Sequence, residues 1–248
     1  RMPDVSPEAF EAQRDDLKEL EQSAGAIAAA ELGADERVTR LQLIALAQDG
    51  VDERSTGFET WLLDPLEGPQ VSLLSLPAWH TVRTRDEAEA FLGRVEAMGP
   101  YLAQYVTNLE RGHAAGLSSS IDAVRKVEQQ LGELLGKPSA EWALASEPVA
   151  GLPDAFDDAA RRRLRDDLEV SVERAVRPGF ERLAAFVREV ARPQARPADR
   201  PGLCALPGGV AIYDRTIRIH TSLPLSAQAI HETGLAEVAR INDETRAL

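Results

Sequence analysis

His231 and Glu232 stand side by side, the opening of a His-Glu-x-x-His pattern in which two imidazoles one helical turn apart bind zinc and the Glu acts as general base. The second imidazole belongs at position 235, and that residue is Leu235. The other histidines, His80, His113 and His220, are not spaced four residues from one another or from His231. A zinc site draws on about three protein ligands with nitrogen, sulfur or carboxylate donors. No complete metal site is therefore expected within this chain. His80, beside Trp79, reads as a packed or loop histidine, and His113 falls near a helix end, where an imidazolium would suit the dipole. The single cysteine, Cys204, allows no intramolecular disulfide and has no histidine nearby in sequence, so no role falls to it.

Around His231 lies a longer ordered pattern: Leu206-Pro207-Gly208-Gly209, Ala211-Ile212-Tyr213, Arg218-Ile219-His220-Thr221-Ser222, then Ile230-His231-Glu232-Thr233-Gly234-Leu235-Ala236-Glu237-Val238-Ala239-Arg240-Ile241. Upstream stand Asp64-Pro65, Gly68-Pro69-Gln70-Val71, Val82-Arg83-Thr84 and Met98-Gly99-Pro100-Tyr101-Leu102. Together these resemble the landmarks of a bacterial family known as domain of unknown function 885, whose members look like helical zinc peptidases related to the thermostable carboxypeptidases. The resemblance covers most of the chain. It departs from the pattern at Ser222, where the family has a second Thr, and at Ser226-Ala227-Gln228-Ala229, which lacks the family's Glu of a capping box.

The resemblance implies a gluzincin-like or carboxypeptidase-like helical fold. It also implies that two zinc-binding imidazoles and a catalytic Glu lie in a His-Glu-Ala-x-Pro-Gly-His-His segment downstream of this chain's last residue. On that reading the chain is the N-terminal, substrate-side half of a zinc-dependent metallopeptidase, inactive alone. Its partner is the C-terminal half of the same protein, as a further segment or separate chain, and its substrate is a peptide. Zinc is expected in the complete enzyme and not on this chain. Tyr213, Arg218, His220 and His231 are then the candidate substrate-binding or zinc-supporting residues, with Tyr213 steadying an oxyanion and Arg218 gripping a carboxylate. On one helix Tyr213 and His220, seven apart, share a face, with Arg218 to its side. The alternative for His231 is packing within a bundle, and for His220 a helix cap. The alternative for the whole chain is a non-catalytic helical scaffold that holds a peptide or a protein.

Composition agrees with helices. Of 248 residues 44% are hydrophobic but only 5% aromatic, so the core must come mainly from Leu, Val and Ala. Lys and Arg number 28 against 41 Asp and Glu, a net charge of −13 that repels phosphate backbones and argues against nucleic acid. No apolar run approaches the roughly 20 residues that cross a bilayer. No phosphate loop, dinucleotide fingerprint or nucleophile elbow is present. Relatives in the family often look like exported lipoproteins, which favours the cell envelope.

The elements that must position these residues form an all-helical domain over 1–248, or half of a larger one. Ser6-Pro7-Glu8 starts a helix to about Ala30, and Asp35-Glu36 a second with Val38, Leu41 and Ala45 on its stripe and Gly50 near its end. Ser55 to Leu63 suggests a short third. Pro65, Gly68, Pro69 and Pro77 break up residues 64–83, leaving room for a short edge strand near 70–75. Thr84-Arg85-Asp86-Glu87 is a capping box for a helix to Met98, after which Gly99-Pro100 begins another. Ser118-Ser119-Ser120 caps the next, and a long helical register over 157–189 should kink at Pro178-Gly179. Residues 192–203 read as an exposed connector. Ser226 caps a last helix that meets no Gly or Pro stop, so the chain is expected to end inside an element, and Arg1-Met2 resembles an expression scar or a processed terminus rather than a natural beginning, which leaves room for a removed leader.

Overall fold

Short polar side chains start five of the helices, each satisfying an amide the first turn leaves orphaned, worth about 1 kcal/mol apiece. In the computed structural model, which describes residues 2–247, Ser6 Oγ accepts from the Ala9 amide at 3.2 Å ahead of α1 (Pro7–Ala26). The Glu36 carboxylate takes the Gly33 amide at 2.7 Å ahead of α2 (Ala34–Arg54). Two single turns follow, α3 (Pro69–Ser72) and α4 (Leu76–Trp79), each with Pro in its first turn. The capping box of α5 (Arg85–Ala114) is closed both ways, with Glu87 N to Thr84 Oγ1 at 3.2 Å and Thr84 N to Glu87 Oε2 at 3.0 Å. Ser120 caps α6 (Ile121–Leu135), and Asp157 caps α8 (Asp158–Ser171) beyond the short α7 (Ala143–Ala150). Then come α9 (Arg177–Phe186), α10 (Arg192–Gln194), α11 (Gly209–Thr221) and α12 (Ala227–Ala247), the last capped by Ser226 at 3.1 Å from the Ala229 amide. The fold is all-α. Arg1 and Leu248, on which the expected terminus and the final helical residue fall, lie outside the described residues.

Several expectations change, each for a physical reason. The edge strand near 70–75 is instead α3, because Pro69 at the first helical position forfeits no hydrogen bond and its fixed φ suits the turn. Residues 55–63 hold only a 3-10 turn, Phe58–Thr60. The largest change is in α5, which runs through Gly99-Pro100 without a break. An interior Pro costs about 3 kcal/mol. The continuous helix, however, buries Phe91, Val95, Met98, Leu102, Val106 and Leu109 along one stripe, each worth roughly 1.5–3 kcal/mol. Burial outweighs the ring. Gly99 also permits close contact here, since a Cβ would come within 2.6 Å of the Ala175 carbonyl oxygen.

The kink expected at Pro178 takes the form of widened turns. Residues 158–194 are helical throughout, with π-helical turns at Val172–Val176 and Val187–Ala191 directly before α9 and α10. Pro178 and Pro193 each sit in the first turn that follows, and the carbonyl a proline ring would strike, four residues back, lies inside the widened turn.

The chain divides into two compact units. The first comprises Arg1–Ala9 and Phe58–Gly202, the second Phe10–Gly57 and Leu203–Leu248. In the first, α5 packs with α8, α9 and the first π turn around Leu102, Leu168, Val172, Val176, Phe180 and Leu183, none of them exposed. Arg177 ties its edge together, stacking 5.0 Å from the Trp142 ring and donating to Ser139 Oγ, Glu173 and the carbonyls of Leu135 and Lys137. The expected connector 192–203 is exposed over 197–202 but pinned at Arg196. That residue is buried, lies over Trp61 at 5.4 Å, donates to the Ser118 and Pro201 carbonyls, and pairs its backbone with Ser119 and Ile121.

In the second unit, α1 and α2 lie together. Arg40 reaches the carbonyls of Ala24 and Gly25, Gln48 donates to Glu21 at 2.7 Å, and Gly50 gives room for the Leu17 side chain. α11 packs against α2. The apolar side chains buried in this unit are Ala24, Ala47, Leu206, Ile212 and Ile217. Val38 and Leu41, whose spacing suggested a core stripe, are 55% and 61% exposed.

Candidate functional site

All four candidate residues lie in the second unit, on two helices. α11 begins where Gly208 takes a left-handed conformation, φ 69°, and ends where Ser222 does the same at φ 57°. The Ser222 amide returns to the Arg218 carbonyl at 2.8 Å, so the residue that departs from the family pattern makes the helix stop. Between these ends Ile212 and Ile217 point inward, while Tyr213 and His220 are exposed, as seven-residue spacing on a helix allows.

Arg218 is not free to meet a ligand unaided. Its guanidinium is ion-paired with the Asp52 carboxylate of α2, and about 41% of its side chain remains exposed. Asp52 is the residue that sequence reading missed: 166 positions separate it from Arg218, and only the packing of α11 on α2 brings the pair together. The pairing fixes one edge of α11 while leaving Tyr213 and His220 on the surface.

His231 does not pack within a bundle. It is exposed on α12, a 21-residue helix none of whose residues is buried. His231, Leu235 and Val238, at i, i+4 and i+7, share one face, so the position that a second zinc ligand would occupy is part of an apolar stripe.

The remaining histidines are structural. His80 closes α4 and meets Phe91 edge-on at 5.2 Å. His113 is in the last turn of α5, as expected, but buried against Phe186 at 5.2 Å with Nδ1 3.3 Å from Gln194. Burial lowers its pKa, with the Gln194 contact opposing, so the neutral imidazole is favoured over the imidazolium expected at that helix end. Cys204 is free and exposed. In the first unit an open groove of about 540 Å³ runs beside α5 and α8 over Leu92, Phe156 and Leu164, with Arg85, Glu89, Arg163 and Asp167 along it. Its charges are of both signs, and it contains no histidine or cysteine.

Among the described residues, no three His, Cys, Asp or Glu side chains come together as a metal site. The residues present do not fit the zinc that the sequence resemblance implies. No described helix is long and apolar enough to cross a membrane.

No curated protein matches the chain. The fold matches the crystal structure of "the putative lipoprotein from Colwellia psychrerythraea" with a TM-score of 0.80 and 20% sequence identity. The match covers 97% of this chain and 42% of that one, so the chain spans less than half the length of its structural neighbour. At that identity the likeness is one of fold. The family model described as "Bacterial protein of unknown function (DUF885)" matches residues 1–248, from end to end, and the chain belongs to that family.

Proposed function

We propose that this chain is the substrate-side portion of a zinc-dependent metallopeptidase whose metal ligands come from residues other than these. The observation that carries the reading is the exposed face of α11, where Tyr213 and His220 stand on a helix held from behind by Ile212, Ile217 and the Arg218–Asp52 pair. A phenol, an imidazole and a half-exposed guanidinium suit a peptide. The Tyr213 hydroxyl donates to a carbonyl oxygen as it gains charge, and Arg218 attracts a carboxylate while Asp52 keeps it in place. No step at the metal follows from this chain's residues. The lipoprotein description of the longer Colwellia protein favours the cell envelope for this one.

The test is hydrolysis of a peptide library by the zinc-loaded product of the complete reading frame. Tyr213→Phe and His220→Ala should each lower kcat/KM by about a hundredfold, the scale of one lost oxyanion donor, with the unfolding midpoint unchanged. A zinc-loaded protein that cleaves no peptide, or variants as active as the parent, would reject the reading. A second reading, a non-catalytic helical scaffold that holds a peptide or a protein, is favoured by the outward apolar residues of α2 and α12. It gains if the protein retains peptides without turning them over.

A further inference from the structure

The stripe on α12 is an apolar feature that the structure leaves open. Leu235 is 59% exposed, Val238 58% and Ile241 50%, with Ile230 at the edge and His231 between them. The polar residues of the helix, by contrast, satisfy one another. Arg240 pairs with Glu237 at 2.8 Å and Glu244 at 2.7 Å, Arg246 pairs with Asp243 at 3.1 Å, and Gln228 donates to Glu232 at 2.8 Å. Such pairs stabilise a helix by only about 0.2–0.5 kcal/mol each, and an isolated helix is marginal in water without a packed face. The polar residues of α12 need no partner, and its apolar residues stay largely exposed.

We infer that α12 is an interface helix, covered by an apolar polypeptide segment that belongs to the same longer chain, with His231 inside the contact rather than on a substrate. The occupant follows from proportion. These helices make up 42% of the Colwellia chain while accounting for 97% of this one, so in that protein a larger mass of polypeptide accompanies the same fold. Leu235 in place of an imidazole fits the assignment, since a Leu, a Val and an Ile one turn apart bury against aliphatic side chains and offer nothing to a metal. The inference rests on the longer chain assumed in the reading above, but not on its peptidase chemistry.

Hydrogen exchange over residues 227–247 tests it, comparing residues 1–248 alone with the product of the uninterrupted reading frame that contains them. In the longer product the α12 amides should exchange at least tenfold more slowly. Leu235→Glu with Val238→Glu should abolish that protection, and His231→Leu should retain it. Helical circular dichroism matching that of the parent verifies that α12 still forms in the variants, and tryptophan fluorescence, with Trp61, Trp79 and Trp142 all in the first unit, verifies that the first unit still folds. A stop codon directly after position 248, equal exchange in the two products, or protection in residues 1–248 alone that grows with concentration, as when a second copy covers the stripe, would each overturn the inference. Protected α12 amides in a protein that cleaves no peptide would remove the peptidase reading and leave this one standing.

Discussion

The region built from residues 58–202 closes most of its apolar surface on itself, with Leu66, Trp79 and Val170 left outside, whereas the region built from 10–57 and 203–247 leaves most of its large apolar side chains in the open. Both consist of amphipathic helices rich in Leu, Val and Ala. In the first, Leu102, Leu168, Val176 and Leu183 have no exposure at all. In the second, Leu46 is 67% exposed, Leu41 61% and Val210 61%. The aromatic residues divide in the same way, since Phe10 and Tyr213 alone fall in the second unit. A hydrophobic stripe therefore shows which face of a helix should leave water, but not what removes it. The candidate residues all sit in the open unit, on the surface that other polypeptide or a ligand can still reach.

The sharpest way to break this contrast is to shorten a side chain in the closed unit. Leu168→Ala should cost about 2–5 kcal/mol, the lost transfer energy plus the residual cavity, because Leu168 is wholly buried between α8 and its neighbours. Urea unfolding followed by tryptophan emission measures it. A loss below about 1 kcal/mol would show that the first unit is as loosely packed as the second.

Sequence was most legible where the signal is local. The caps at Ser6, Thr84, Ser120 and Ser226 and the helices they open are all present, since a hydroxyl and an amide three residues apart need nothing from the rest of the molecule. It failed where tertiary burial overrides local preference. Pro100 lies within α5 because the stripe from Phe91 to Leu109 is worth more than the hydrogen bond the ring removes. At the site the sequence placed Tyr213 and His220 on one helix face, which needs only periodicity. It did not supply Asp52 for Arg218, a pair across 166 residues, nor show that His231 stands in the open with Leu235 and Val238.

A smaller effect comes from the imidazoles of the closed unit. Burial lowers the pKa of His113 from its ordinary 6.5, and lowers that of His80 too, where burial and Arg94 outweigh the opposing Glu87. A depressed histidine favours folding while both states are neutral, so its contribution is complete above about pH 6.5. It declines as the pH falls toward the folded-state value, because the unfolded chain then binds a proton that the folded chain refuses. The urea midpoint should drop between pH 7 and pH 5, and His113→Phe should drop less over that interval than the parent. An equal slope in the two proteins would mean that the imidazole is protonated in place.

The smallest expected effect is the most telling about the open unit. In residues 1–248 alone, Leu235→Ser and Val238→Ser remove apolar side chains from a helix none of whose residues is buried, so little transfer energy is at stake. Exposed substitutions of this kind shift stability by no more than about 0.5 kcal/mol. The change should be invisible to tryptophan emission and small in helical circular dichroism, whereas the same stripe chemistry at Leu168 is worth several times as much. Were either variant to lose stability on the scale of Leu168→Ala, the stripe would already be packed in the chain by itself, and the difference between the two regions would vanish.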